Sequence, residues 1–369
     1  MGLAQGRALR AKVKGVCHDL LHLEAFRLRQ PRWLPYALFR RVAGWKARRQ
    51  LGPAVAATCP EAAKRLKAIA EGATVGEDDL WLIHAMEAVL GSALECTTMP
   101  TLGACAAFAV RGRRSAIREP VIAHNFDYLS LVQPYFIIRD SRPKGGFRSL
   151  DFTVAALCGT IDGVNEKGLA VSYNYAQTLD ESQPAPTITM VVAEVLARCR
   201  SVLEAIDHVR TRPRWGSGIL MLVDGTGEIA SLELSNTRSA VRRPGPGEEV
   251  LFHTNAYHCG ATREIEVSEA ARYNDRAPRA LRGQMVLDSS RRRDERFAEL
   301  LRGGTVLGLD DIAALMADHG AGSKPSDKTI CQHSAYWVTS ACIQLLPHSG
   351  KLRFSFTTAC EARYDEISL

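Results

Sequence analysis

No apolar run in this 369-residue sequence is long enough to cross a bilayer. The residues after Met1-Gly2-Leu3 also lack the apolar core of a secretory signal, because charges recur every few positions. The ten cysteines include no C-x-x-C pair, so neither a zinc motif nor a disulfide framework is expected. Scattered thiols without an export signal point to a reducing, cytoplasmic setting. No histidine lies close in sequence to Cys105 in the usual role of a protease base.

Hydrophobic residues make up 46% of the chain, enough to bury a large core in one domain or two. The net charge of +7 is concentrated at the start. Residues 1–50 carry twelve Lys/Arg and two acids, a net of +10, which leaves about −3 for the rest. Such a basic segment is either a solvated helical face or a contact for an anionic membrane surface or nucleic acid. Within it, Leu20, Leu21, Leu23, Phe26 and Leu28 read as a partly amphipathic helix, broken by Pro31 and Pro35. Trp33, Tyr36, Phe39 and Trp45 interleave with arginines as in an interfacial anchor.

Chemistry concentrates in residues 103–128, GACAAFAVRGRRSAIREPVIAHNFDY. Two apolar runs flank a basic, Gly112-containing turn, which reads as a β-hairpin. Cys105 opens it, and His124-Asn125-Phe126-Asp127 closes it. A thiol becomes a nucleophile only beside a base or a positive field. Were the chain cut between Ala104 and Cys105, the cysteine's own α-amine would be that base, with an ordinary pKa of about 7.7–8.0. Otherwise Cys105 is a buried thiol in a core strand.

The remaining pattern predicts helices over 60–72 and 80–90, strands over 135–139 and 152–157, and a hairpin from Gly159 to Asn174 with Gly168 at positive φ. Helices follow over 186–198 and 201–210, then strands over 219–223, 229–234, 240–242 and 250–253, the last ending in Thr254-Asn255. A helix over 289–301 is expected to be capped by Ser290 and to carry Arg293 and Arg296. This order suits an α+β, four-layer αββα sandwich preceded by an N-terminal helical segment. His253 and His258 have no third ligand nearby and read as structural or substrate-facing.

Together, Cys105 with Asn125-x-Asp127, the pattern G-V-N-E-K-G-L-A-V ending at Asn174, Thr254-Asn255, Ser290-x-x-Arg293 and the C-terminal I-C-x-H, T-S and C…Y run resemble one family. It is the acyl-coenzyme A:6-aminopenicillanic acid acyltransferase family of N-terminal-nucleophile hydrolases, with bile-salt hydrolases and acid ceramidases as more distant relatives. The resemblance runs from about residue 60 to the C-terminus. Cys96-Thr97-Thr98 resembles some nucleophile strands too, but it lies 29 positions before Asn125, and Pro100 interrupts the strand. Ala104 stands where the family usually has Gly, and Ala106 where it often has Ser or Thr.

The resemblance implies self-cleavage between Ala104 and Cys105, giving an α/β heterodimer of residues 1–104 and 105–369. It implies Cys105 as nucleophile, Asp127 holding its α-amine, Asn174 and Asn255 at the oxyanion, and Arg293 balancing Asp127. His124, Asn125 and Tyr173 would contact a small acyl-amide or acyl-thioester substrate. Cys331 and Cys360 would serve packing, and no cofactor or metal is implied. The rival readings are an uncleaved binding protein on the same scaffold, or a membrane-surface or nucleic-acid-binding protein led by residues 1–50. Nucleic acid is not the expected partner. A cysteine hydrolase based on His253 or His333 is a further alternative.

Overall fold

The computed structural model describes residues 1–89, 103–180, 183–320 and 324–369; Cys96-Thr97-Thr98 lies outside them. The chain begins with six helices: α1 (Gly2–Ala8), α2 (Arg10–Leu20), α3 (Glu24–Arg27), α4 (Tyr36–Thr58), α5 (Pro60–Ala73) and α6 (Glu77–Val89). The break expected at Pro31 and Pro35 falls between α3 and α4. Helix α1 crosses α5 at backbone contact, where a Cβ on Gly6 would stand 2.4 Å from the Ile69 carbonyl oxygen. Only glycine permits that approach.

These helices are fastened to the rest of the molecule. Gln5 Nε2 donates to the Ala155 carbonyl at 3.0 Å, Lys12 Nζ to the Phe136 carbonyl at 3.2 Å, and the Tyr135 hydroxyl to Asp19 at 2.6 Å. Their apolar residues, including Val13, Leu66 and Trp81, join the main core. Trp33, Leu38, Val42 and Trp45 stay exposed, with Trp33 81% accessible.

Thirteen strands follow among the described residues: β1 (Ala106–Val110), β2 (Val121–Tyr128), β3 (Phe136–Ser141), β4 (Ser149–Val154), β5 (Asp162–Asn165), β6 (Leu169–Tyr175), β7 (Gly218–Asp224), β8 (Ile229–Leu234), β9 (Ser239–Arg242), β10 (Val250–His253), β11 (Val338–Leu346), β12 (Lys351–Ser355) and β13 (Asp365–Ser368). They form two antiparallel sheets. The first has the order β10-β1-β2-β11-β12-β13, and the second runs β3 to β9 in sequence order. The expected hairpin is present with Ala106 opposite Asn125. The second hairpin turns at Gly168 with φ +81°.

Helices α7 (Ile188–Arg198) and α8 (Val202–Arg210) cover the second sheet. Asn165 Nδ2 ties its outer face to the Leu196 and Cys199 carbonyls at 2.8 Å each. After the short α9 (Gly260–Arg263), helices α10 (Asp288–Leu300) and α11 (Leu309–Met316) cover the first sheet. Phe297, Ile312 and Met316 pack there on Phe108, Val110 and Val121. The four layers are therefore αββα, as the element order predicts. Helix α10 starts at Asp288, so Ser290 lies inside its first turn and does not cap it.

Candidate active site

Strand β1 lies second in the first sheet, between the edge strand β10 and β2. Successive strand residues face opposite sides. Ala106, Phe108 and Val110 turn to α10 and α11, and Cys105 belongs to the core between the sheets. On β2, Asn125 and Asp127 share the α10 side, while His124 and Phe126 face the second sheet.

Arg293 gathers the site. Helical spacing puts Ser290, Arg293, Asp294 and Phe297 on the buried face of α10. The neighbouring arginines turn out to other partners: Arg291 to Glu266 and Glu269, Arg292 to Asp288, Arg296 to Asp318. Arg293 Nη1 donates to the carbonyl oxygens of Ala104 and Cys105 at 3.0 Å each and pairs with Asp127 Oδ2 at 3.2 Å. Its Nη2 donates to Asn255 Oδ1 at 3.0 Å. Both partners of the Arg293–Asp127 ion pair are wholly buried.

Asp127 receives a second bond, 2.6 Å, from the Thr339 hydroxyl. Thr339 precedes a register shift in the β11–β2 ladder, between Thr339 and Ala341. Burial pushes the Asp127 carboxyl up to about 7, while Arg293 and Thr339 pull it back. The Asp127 carbonyl also accepts the Ala104 N–H at 2.9 Å, so the backbone on both sides of the 104–105 bond is held. Burial raises the Cys105 thiol well above its ordinary range, with the Asp127 and Asp162 charges adding to the effect. In the continuous chain the sulfur is therefore a thiol.

The two candidate oxyanion amides lie at neighbouring strand ends. Asn255 Nδ2 donates to the Tyr175 carbonyl at 2.8 Å, and Asn174 Nδ2 to the Thr254 carbonyl at 3.0 Å. Each primary amide carries two N–H groups, so one donor on each is left over from these bonds.

The expected substrate contacts divide. His124 shares the intersheet layer with Cys105, and its Nδ1 bonds Asp162 Oδ2 at 2.7 Å. Asn125 is turned to the opposite face, where its Nδ2 donates to the Met316 and Ile330 carbonyls at 2.8 and 3.1 Å. Neighbours on one strand cannot both face one ligand. Tyr173 is buried, and its hydroxyl donates to the Ser217 carbonyl at 3.1 Å. His253 bonds Ser231 at 3.0 Å, and His258 Nε2 stands 3.2 Å from Asp294 Oδ2. Two contacts of this site were not expected from the sequence, Thr339 on Asp127 and Asp162 on His124. The T-S pair flagged Thr339, but nothing in the sequence joined Asp162 to His124.

Among the described residues the site is covered: Ala104, Cys105, Asp127 and Arg293 are all buried. Ala104 packs into an apolar cluster with Tyr273, Ala277, Leu281 and Trp337. A cleft of about 600 Å³ lies beside Glu166, Gly225 and His348, apart from this cluster.

The sequence profile of the acyl-coenzyme A:6-aminopenicillanic acid acyl-transferase family matches residues 115–358, beginning downstream of Cys105. No curated protein matches the chain. Three solved structures are similar in outline. The N-acylethanolamine-hydrolyzing acid amidase ortholog of Caenorhabditis elegans is 12% identical, over 66% of this chain and 93% of that one, with TM-score 0.45. A mutant of conjugated bile acid hydrolase from Clostridium perfringens is 14% identical, over 72% and 92%, with TM-score 0.42. Penicillin V acylase from Agrobacterium tumefaciens is 15% identical, over 72% and 86%, with TM-score 0.39.

Proposed function

Since the chain belongs to the acyl-coenzyme A:6-aminopenicillanic acid acyltransferase family, we propose that it is a self-processing cysteine amidohydrolase or acyltransferase with Cys105 as nucleophile. The observation that carries this reading is the double contact of Arg293 Nη1, 3.0 Å from the Ala104 carbonyl oxygen and 3.0 Å from that of Cys105.

Self-cleavage starts with attack of the Cys105 sulfur on the Ala104 carbonyl carbon. The oxygen gains charge against the Arg293 N–H, the kind of donor worth roughly 3–4 kcal/mol at a developing oxyanion. The C–N bond to Cys105 breaks, and the thiol proton ends on the departing nitrogen. Water then hydrolyses the thioester, freeing the Ala104 carboxylate, the thiol and the Cys105 α-amine.

The new amine replaces a thiol with no base by a thiol carrying its own. It takes the sulfur proton as the thiolate attacks an acyl carbonyl. Asp127 holds the protonated amine, and Arg293 favours the ionised form of Asp127 against the effect of burial and grips the Cys105 carbonyl. The remaining N–H groups of Asn174 and Asn255 serve the oxyanion. The leaving amine departs with the proton, and water or a second amine resolves the acyl-enzyme.

The same geometry supports an acyl preference. In the uncut chain Ala104 is itself the acyl group, and its methyl lies among Tyr273, Ala277, Leu281 and Trp337. After cleavage an apolar acyl chain takes over those contacts. The test is trapping: processed protein quenched in acid during turnover of an acyl anilide should carry one acyl group on the Cys105 peptide. Turnover without that adduct would remove Cys105 as nucleophile.

A further inference from the structure

We propose that His319, Cys331, His333 and Cys360 form a tetrahedral Zn²⁺ site that braces the C-terminal segment behind Asp127. This goes beyond the reading of Cys105 and stands independently of it. It also replaces the expectation that Cys331 and Cys360 serve packing alone.

Four chain positions with no recognisable spacing converge there. His319 follows α11, Cys331 and His333 lie in the approach to β11, and Cys360 sits in the single 3₁₀ turn Ala359–Glu361 after β12. Their candidate ligand atoms all lie within 4.8 Å of one another. Cys331 Sγ and Cys360 Sγ stand 3.3 and 3.6 Å from His333 Nε2. With Zn–S of about 2.3 Å and Zn–N of about 2.0–2.1 Å, the S···N edge of a tetrahedron is about 3.5 Å. The two imidazoles are steeply inclined, with ring centroids 5.0 Å apart and planes at 72°, so their nitrogens can meet at one point without stacking. His319 Nε2 is buried and has no hydrogen-bond partner among the described residues.

The donor set selects the ion. Two thiolates and two imidazoles suit Zn²⁺, whereas Mg²⁺ and Ca²⁺ take oxygen ligands. Four protein donors close the coordination sphere, which marks a structural rather than a catalytic metal.

Its surroundings say what it would hold. Asn125 Nδ2 donates to the Met316 and Ile330 carbonyls, which lead into His319 and Cys331. The Cys331 N–H donates to the Asp318 carbonyl at 3.2 Å, joining the two ligand segments. Between Cys331 and His333, the Gln332 N–H donates to the Thr339 hydroxyl at 2.8 Å, and that hydroxyl donates to Asp127. The ion therefore pins the segment that positions the Asp127 carboxylate. Asn125, turned away from Cys105, belongs to this bracing.

The test uses the full chain, grown with zinc and purified without a metal-affinity tag. Elemental analysis after dialysis should give close to one zinc per chain, falling at least tenfold in Cys360→Ser and His319→Ala. Exchange of wild type into Co²⁺ should produce thiolate-to-cobalt absorption and the visible bands of a tetrahedral ion. That readout does not depend on how the variants fold. Less than a tenth of an equivalent of zinc together with a silent cobalt spectrum would overturn the proposal. So would zinc unaffected by either substitution, or an intact mass two hydrogens lower with a Cys331–Cys360 disulfide peptide.

Discussion

Arg293 Nη1 donates to the carbonyl oxygen of Ala104 at 3.0 Å, at the peptide bond expected to break. The same nitrogen pairs with Asp127 Oδ2 at 3.2 Å, so one guanidinium addresses both the attacked carbonyl and the carboxylate beside it. Lysine keeps the charge but not the planar fork that reaches Ala104, Cys105, Asp127 and Asn255 together. Arg293→Lys is therefore expected to fold and to self-cleave about 10²-fold more slowly, read as the time course of the uncut band. Cleavage at the wild-type rate would contradict this role. Arg293→Leu leaves the Asp127 charge buried and unpaired, and should lose about 3–5 kcal/mol of stability.

Acyl selectivity should follow the cluster around Ala104. Leu281→Ala opens space beside that methyl. The ratio of kcat/KM for an acyl anilide two carbons longer over a short one should rise about tenfold, since a methylene in an apolar pocket is worth about 1–3 kcal/mol. An unchanged ratio would place the acyl group elsewhere.

The αββα order and both hairpins were legible because they rest on local pattern, whereas Asn174, Thr254-Asn255 and Arg293 were picked out only by motifs that resemble the family's. Period-two alternation gives the strands and Gly168 marks a turn; which of the neighbouring arginines faces inward was open in the sequence and is fixed by the buried face Ser290, Arg293, Asp294 and Phe297 of α10. Other features were not legible, for different reasons. The facing of Asn125 follows from its register opposite Ala106 and from α11 above it, which depends on tertiary packing. The hold of Thr339 on Asp127 sits beside a register shift in β11 that no composition announces. The Cys/His cluster joins residues 12, 2 and 27 positions apart, so the absence of C-x-x-C hid it.

A pH dependence of stability follows from His84, which ties α6 to the loop after β4. Its Nδ1 donates to the Leu80 carbonyl at 2.8 Å and its Nε2 accepts the Cys158 N–H at 3.2 Å, so the ring is neutral. Burial lowers its pKa from 6.5 to about 4. A depressed folded pKa contributes stability that is present above pH 6.5 and lost as pH falls towards 4. The loss is about 3 kcal/mol from that shift. Asp127 and Glu266, each raised to about 7 by burial, act in the opposite sense, losing stability as pH rises through that range. The measurement is therefore a difference: urea midpoints of wild type and His84→Gln should converge between pH 6.5 and 4. A constant gap would exclude His84.

The exposed Trp33, Leu38, Val42 and Trp45, set among Arg32, Arg41, Lys46 and Arg49, predict binding to an anionic surface. The chain should sediment with vesicles containing anionic lipid, release with rising salt, and lose binding in a Trp33→Ala/Trp45→Ala double variant. Equal sedimentation with zwitterionic vesicles, or none with either, would contradict it.

The most direct test of the central claim is the intact mass of the purified chain under denaturing conditions, beside Cys105→Ala. The account predicts two chains of roughly 11 and 29 kDa, by residue share of the total, with Cys105 as the new N-terminus, and one uncut chain in the variant. A single 40.4 kDa chain in both would contradict self-processing at Cys105.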